Sequence, residues 1–328
     1  MIPQTVVATE SPAFLTSGEV MVELAGPAPL AEAESLTRSY SGDVLNIAVA
    51  LRRLGVPTAI LTKVGDDPFG NYLMSEWAEL GVDLRYVSRG GGPTGVYVAE
   101  FGPAGHYDIW YYRRHSAAST LAPADVDAIA LDGVRLVHVS GISQAISETS
   151  RAATFRLVER ARAAGIQVSV DVNYRPRLWK PAEAAVALRE ILPFIDIVFC
   201  GAPDESEAVS GFADPVAAGA FFLDQGATVA ALSMAADGCY VAWADGSTRL
   251  PHVARRVEHA QGAGDAFAGG FARAWIAGAL PETCARLATV TAGLKVERTG
   301  ALLGLPWRDE VVVRARELGW TDAADVLD

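Results

Sequence analysis

Cysteine is scarce. Cys200, Cys239 and Cys284 are odd in number and widely spaced, which excludes a disulfide framework and offers no zinc-ligand spacing. They suit reduced thiols in a cytoplasmic protein. Basic residues are also few: 27 Lys and Arg stand against 39 Asp and Glu, a net charge of −12. A nucleic-acid partner would need a basic surface for its phosphates, so none is expected. A small anionic substrate stays open, because a local cluster of cations can outweigh the global sign. No uncharged apolar run reaches the length of a membrane span, so no membrane partner is expected either. No basic residue precedes Arg38, which leaves the N-terminus without the charged region of a signal peptide. Internal repeats and low-complexity linkers are lacking too. Gly18-Glu19-Val20-Met21 is not the Gly-x-Gly-x-x-Gly that a dinucleotide-dependent oxidoreductase needs after its first strand.

What remains is a chain of 328 residues, 51% apolar with 31 glycines, long enough for one large α/β domain with an elaboration or two modest domains. After about residue 120, β-type runs alternate with amphipathic helical windows. Val134–Ser140, Val168–Val172, Ile195–Cys200, Thr228–Leu232 and Cys239–Trp243 read as strands, and Thr149–Ala164 and Ala182–Leu192 as helices. That rhythm predicts βαβ units, a largely parallel sheet and helices on both faces. Active sites of such sheets gather at the carboxyl ends of the strands. The first third differs. Val44–Leu54 and Pro68–Leu80 read as helices, each closed by a glycine. Val20–Leu24, Thr94–Phe101 and Tyr107–Arg113 read as strands of a small separate sheet, with 102–105 as the turn between the last two.

Residues 262 to 271, Gly-Ala-Gly-Asp-Ala-Phe-Ala-Gly-Gly-Phe, carry the clearest chemistry. Gly262, Ala263 and Gly264 let backbone pass close to a ligand, and Asp265–Ile276 reads as a helix with an apolar stripe. Its start offers free N–H groups and partial positive charge, an anion site. Asp265 stands where a carboxylate could take a proton from a hydroxyl attacking a phosphoryl group held there. A glycine turn with a capping Asp is the plainer alternative. Elsewhere, Ser41-Gly42-Asp43 precedes a helix that carries Asn46 among apolar residues, and Ser41 or Asp43 could simply cap it. Tyr111 and Arg113 share a strand face near Tyr97, a set suited to a carboxylate and hydroxyls. Asn173 and Arg175 follow a buried strand. Asp204 and Glu207 are two carboxylates able to hold Mg²⁺ through water, or simply an acidic helix start.

The stretch 262–271 resembles the C-terminal signature of the ribokinase-like (PfkB-type) carbohydrate kinases. The resemblance implies a ribokinase-like three-layer α/β fold of one domain over 1–328, with a lid inserted at about 20–43 and 93–115. It implies Asp265 as catalytic base and Gly262, Ala263 and Gly264 as the anion hole. Ser41-Gly42-x-x-x-Asn46 resembles the sugar-binding motif of that family. Tyr-Tyr-Arg-x-x-Ser-Ala-Ala at 111–118, residues 138–142 and Asp171-Val172-Asn173-Tyr174-Arg175 are similar to 2-keto-3-deoxygluconate kinases. Gly42, Asn46, Tyr97, Tyr111, Arg113, Asn173, Arg175 and Asp265 would then contact the substrate. Asp204, Ser233, Gly238, Gly262 and Gly264 would contact ATP, and Glu207 would serve Mg²⁺. Homo-oligomerisation through the lid is expected.

Two departures carry expectations of their own. Ser233-Met234-Ala235 stands where relatives have Lys or Thr, any residue, then Gly, which predicts a weaker hold on the nucleotide. His259 stands where relatives have an Asp that helps bind a monovalent cation, and imidazole is no oxygen ligand. Activity should therefore need Mg²⁺ and respond little to K⁺. Gly293–Glu297, ahead of Gly300 and Pro306, occupies the region where relatives hold adenine. A kinase for fructose or 5-dehydro-2-deoxygluconate, or a catalytically weak sugar-acid-binding regulator, remain the alternative readings.

Overall fold

Strand side chains alternate in direction, and here each alternate set meets its own layer of helices. The structure, a computed structural model, describes residues 10–26, 29–101 and 107–328. The expected turn at 102–105 lies outside them. The strands are β1 (Phe14–Ser17), β2 (Met21–Gly26), β3 (Thr37–Ser41), β4 (Thr58–Val64), β5 (Val87–Arg89), β6 (Val96–Phe101) and β7 (Tyr107–Tyr112). They continue with β8 (Leu136–Ser140), β9 (Gln167–Asp171), β10 (Ile197–Gly201), β11 (Val229–Ser233), β12 (Cys239–Trp243) and β13 (Gly246–Leu250). Nine strands form one sheet in the order β13-β12-β11-β10-β9-β8-β1-β4-β5. Its pairs are parallel except β11–β12 and β12–β13, which are antiparallel.

The helices are α1 (Asp43–Arg53), α2 (Pro68–Glu79), α3 (Pro123–Asp127), α4 (Gly141–Ala145), α5 (Glu148–Ala163) and α6 (Pro181–Ile191). They continue with α7 (Asp204–Ser210), α8 (Pro215–Asp224), α9 (Ala263–Ile276), α10 (Pro281–Val296), α11 (Arg308–Glu317) and α12 (Thr321–Asp325). Phe14, Leu136, Ile197, Phe199, Val229 and Ala231 share a core with side chains of α1, α9, α10, α11 and α12. Their strand neighbours Leu15, Val137, Val198, Cys200, Ala230 and Leu232 pack into a second core with α5, α6 and α8. The result is the expected three-layer α/β fold. Each fully buried Phe or Leu stabilises such a core by about 1.5–3 kcal/mol.

Glycines let α9 approach both α1 and α10 closely. A Cβ on Gly269 would lie 2.6 Å from Ala50 Cβ, and one on Gly270 2.6 Å from Thr291 Oγ1. Small residues thus wedge α9 between α1 and α10, which fixes where its N-terminus points.

Four strands form a second sheet in the order β3-β2-β6-β7. Val22, Leu24, Val96 and Tyr40 pack one face against α1 and α2 side chains. Met21, Tyr97 and Ala99, with Ile109, form a small cluster on the other. Strands β1, β3, β4, β5 and β13 have no counterpart in the sequence reading. The read strands and helices shift by up to two residues at most ends.

Candidate active site

The helix α9 begins at a turn that only a small residue tolerates. Its N-cap, Gly262, has φ 81°, and a Cβ there would lie 2.9 Å from the Ala301 carbonyl oxygen. Left-handed backbone of this kind favours glycine. The Ala263 amide donates back to Ala260 O at 3.1 Å. Among the described residues, the amides of Gly264 and Asp265 have no such acceptor, as expected for a first helical turn. Nothing lies within 4 Å of where a Gly264 Cβ would be. The turn therefore presents free N–H groups beside open space. Ala263, expected among the anion-hole amides, instead spends its N–H inside the turn.

Two cavities adjoin at this turn. One, of about 430 Å³, lies between the main sheet and the small sheet. Its walls hold Gly42, Asn46, Tyr97, Tyr111, Arg113, Asn173, Arg175 and Asp265. All eight residues expected to contact substrate are thus brought together. The other, of about 510 Å³, is largely apolar and holds Asp204, Ser233, Gly238, His252, Gly293 and Val296. Gly201, Glu205, Ser233, Ala260, Ala263, Gly264 and Phe267 line both. Glu207 is exposed and lines neither. Three acidic residues open α7, and the phase of that helix turns Glu205 inward and leaves Glu207 outside. The metal role expected of Glu207 thus finds no support in its placement.

Asp265 is the most perturbed member of the motif. Burial, then the Asp43 carboxylate, push it up to about 7, against the opposing pull of Asn46, Arg175 and Lys295. Asn46 Nδ2 donates to Asp265 Oδ2 at 2.7 Å and to Ser41 Oγ at 3.2 Å. The amide inside an apolar helix is explained: it orients the carboxylate, and its own Oδ1 is left without a hydrogen-bond partner. A carboxyl group with a pKa near neutrality is well matched to proton transfer at neutral pH.

The alternative of Asp43 as a simple helix cap is not what the structure has. Gly42 is the N-cap of α1, with no side-chain capping bond. Asp43 Oδ2 instead accepts from Ser140 Oγ and, at 3.1 Å, from Asn173 Nδ2. Asn173 adopts φ 40°, a conformation Asn tolerates better than most residues. Its amide donates to Asp171 Oδ1 at 3.1 Å. Burial and then Glu205 raise Asp171 well above the carboxylate range. Burial likewise raises Glu205, although the Gly201 N–H and Arg175 oppose it. Burial works against the Arg175 charge, but Glu205, Tyr111, Asp171 and Asp43 outweigh it.

At the small sheet, Tyr97 and Tyr111 are cross-strand partners with ring centroids 6.1 Å apart. The Arg113 guanidinium carbon is 5.5 Å from the Tyr111 ring centroid, so the shared face read from the alternation is present. Arg113 is also next to a carboxylate the sequence reading passed over. Its Nη2 lies 2.6 Å from Glu19 Oε2, an ion pair by distance. Arg113 Nε has no hydrogen-bond partner. Ser116 Oγ donates to Glu19, and burial raises the Glu19 carboxyl despite Arg113 and Ser116. Tyr97 donates its hydroxyl to Glu23.

Ala235 at the larger cavity has φ 47°. The β-carbon expected to crowd a nucleotide is there, on backbone that favours glycine. His259 lines neither cavity, and Glu297 is held by Arg314 at 2.9 Å.

Sequence and structure comparisons identify the family. The family model described as pfkB family carbohydrate kinase matches residues 14–308. The chain is 30% identical over 295 residues to a 2-dehydro-3-deoxygluconokinase of Thermoproteus tenax, covering 88% of this chain and 90% of that protein. A PfkB protein of Polaromonas sp. JS666 superposes with a TM-score of 0.83 at 29% identity, covering 92% and 99% of the two chains. A protein described as a ribokinase II of E. coli, solved in complex with ATP and Mg²⁺, superposes with a TM-score of 0.85 at 24% identity, over 94% and 100%. The chain belongs to the pfkB family of carbohydrate kinases, phosphotransferases with a hydroxyl acceptor.

Proposed function

We propose that this kinase transfers the γ-phosphoryl group of ATP to a hydroxyl of a small sugar acid, 2-keto-3-deoxygluconate, with Asp265 as general base. The observation that carries the reading is the position of Asp265. It sits at the start of α9, where a polar chamber and an apolar chamber meet, and Asn46 aims its carboxylate at 2.7 Å. The polar chamber suits the sugar and the apolar one the nucleotide base. The free amides of Gly264 and Asp265, with open space over Gly264, suit the transferred phosphoryl oxygens.

The residues present also fit Mg²⁺. Glu205 and Asp171 are acid side chains near the junction whose carboxyls burial raises, a cost that a divalent cation would relieve. Among the described residues, no group of three or more His, Cys, Asp or Glu is arranged to hold a metal alone. MgATP would supply the electrophilic phosphorus and neutralise its oxygens. The chain's own part is to hold the sugar hydroxyl near Asp265, receive its proton, and exclude water beneath the small sheet, which we read as a lid.

The acid substrate rests on Arg113 and Arg175: the Arg113 side chain is only 10% exposed, and its Nε stays without a partner while Nη2 pairs with Glu19. A charge-assisted pair contributes about 1.5–3 kcal/mol, so the acid should exceed a neutral ketose at least tenfold in kcat/KM. Comparing 2-keto-3-deoxygluconate with fructose on the parent and on Arg113→Ala tests this. A selective loss for the acid supports it. A parent that prefers fructose, or equal losses on both, would leave the kinase assignment and remove the sugar acid. Exposed Trp110 and Tyr112 on β7 are read as the surface that pairs two copies.

A further inference from the structure

Lys295 is completely buried at the end of α10, an expensive place for an ammonium group. Its Nζ donates to the His259 carbonyl oxygen at 2.7 Å. Tethering alone does not account for this bond. The same segment is already fastened to α10 by the amides of Glu258 and His259, which donate to Val296 O at 2.8 and 3.2 Å. A neutral side chain of similar length would fill the same volume. What the charge adds is its neighbourhood. One peptide further on, Ala260 O accepts the Ala263 N–H that closes the turn into α9. Lys295 and Asp265 also favour each other's charged forms. Burial lowers Lys295 to about 8, with Asp265 opposing, so it is mostly cationic at neutral pH. A desolvated ammonium bonded to a backbone carbonyl has the ligand chemistry of a bound monovalent cation.

We propose that the Lys295 ammonium is a tethered monovalent cation, a positioning residue that holds charge behind the Gly262–Asp265 turn. This rests on the kinase reading above, since it assigns Lys295 to the same turn. It also gives the expected indifference to K⁺ a physical basis: the positive charge is part of the chain.

The test compares Lys295→Ala, which opens a cation-sized space beside His259 O, with Lys295→Met, which keeps the volume and removes the charge. Turnover is measured at constant ionic strength in Na⁺, K⁺ or NH₄⁺, and thermal unfolding in the same salts. The parent should be flat across the three. Both variants should lose about 10- to 1000-fold in kcat, the range for weakening charge stabilisation of a transition state, with KM changing little. NH₄⁺ or K⁺, but not Na⁺, should restore Lys295→Ala and raise its Tm, while Lys295→Met stays unrestored. A parent strongly activated by K⁺, or Lys295→Met within a few-fold of the parent, would overturn the proposal. So would a folded Lys295→Ala whose turnover and Tm both ignore the cations, or failure of both variants to fold, which would make the ammonium a structural tie. If the parent phosphorylates no sugar, the kinase reading fails, and the Tm response of Lys295→Ala still reports on the cation site.

Discussion

Replacing Asp265 with Asn changes one oxygen to an amide and leaves the outline of the site intact, yet it should move stability and turnover in opposite directions. In the folded protein the Asp265 carboxyl is pushed up to about 7 from its ordinary 3.8. The folded state therefore binds this proton more tightly than the unfolded chain does. Between those two values stability falls as pH rises, and above pH 7 the deficit is complete. About three units at 1.36 kcal/mol each sets a ceiling of about 4 kcal/mol. Relaxation and the coupling to Asp43 reduce it, so a gain on the order of 2–4 kcal/mol is expected for Asp265→Asn at pH 8, with little gain at pH 4. The carboxamide oxygen that this substitution introduces can still accept from Asn46 Nδ2. Turnover should fall by roughly 10²–10⁴-fold, the usual contribution of a positioned base. In the parent, kcat/KM should rise with pH through about 7 as the base form appears. Thermal unfolding at the two pH values, with ADP release at pH 8, reads both effects. Turnover within a few-fold of the parent, or a Tm change that is the same at both pH values, would refute the reasoning.

The other expectations concern the walls of the two chambers. Gly264→Ala adds a methyl group where nothing lies within 4 Å, so the fold should be as stable as the parent or slightly more so, by up to about 1 kcal/mol of helix propensity. The methyl would occupy phosphate space, and kcat/KM for ATP should drop at least about tenfold; an unaffected kcat/KM would mean that phosphate binds elsewhere. Gly262→Ala should instead unfold at lower temperature, because of its φ of 81° and the Ala301 carbonyl 2.9 Å from the new Cβ. Replacing exposed Trp110 and Tyr112 together with Ser should shift sedimentation from oligomer to monomer while leaving the melting temperature close to the parent's. A parent that sediments as a monomer contradicts the pairing surface.

Much of this site was legible because its chemistry is local. Gly262 to Asp265 is one continuous turn, and Asn173 and Arg175 follow a buried strand whose alternation is plain. Tyr111 and Arg113 share a face by strand period alone. The partners that complete the site were not legible for the same reason. Glu19 meets Ser116 across 97 residues of chain, and Lys295 meets His259 across 36. Nothing in either local pattern signals the contact. A buried Lys in the last turn of an apolar helix was the one available hint, and it reads equally well as a dipole-compensating cation. Glu205 and Glu207 differ only in helical phase, which the preceding strand sets and composition does not record. The strands that escaped notice are short or polar. β1, Phe-Leu-Thr-Ser, owes its place to burial between β4 and β8 rather than to an apolar run.

The most direct measurement is a crystal structure of the protein with 2-keto-3-deoxygluconate, Mg²⁺ and a non-hydrolysable ATP analogue. The analogue's base should lie in the apolar chamber beside Gly238 and Gly293, and its terminal phosphate against the amides of Gly264 and Asp265. One sugar hydroxyl should lie within hydrogen-bond distance of Asp265, with the sugar carboxylate toward Arg113 or Arg175. A terminal phosphate remote from Gly264, or a bound sugar with no hydroxyl facing Asp265, would contradict the proposed function.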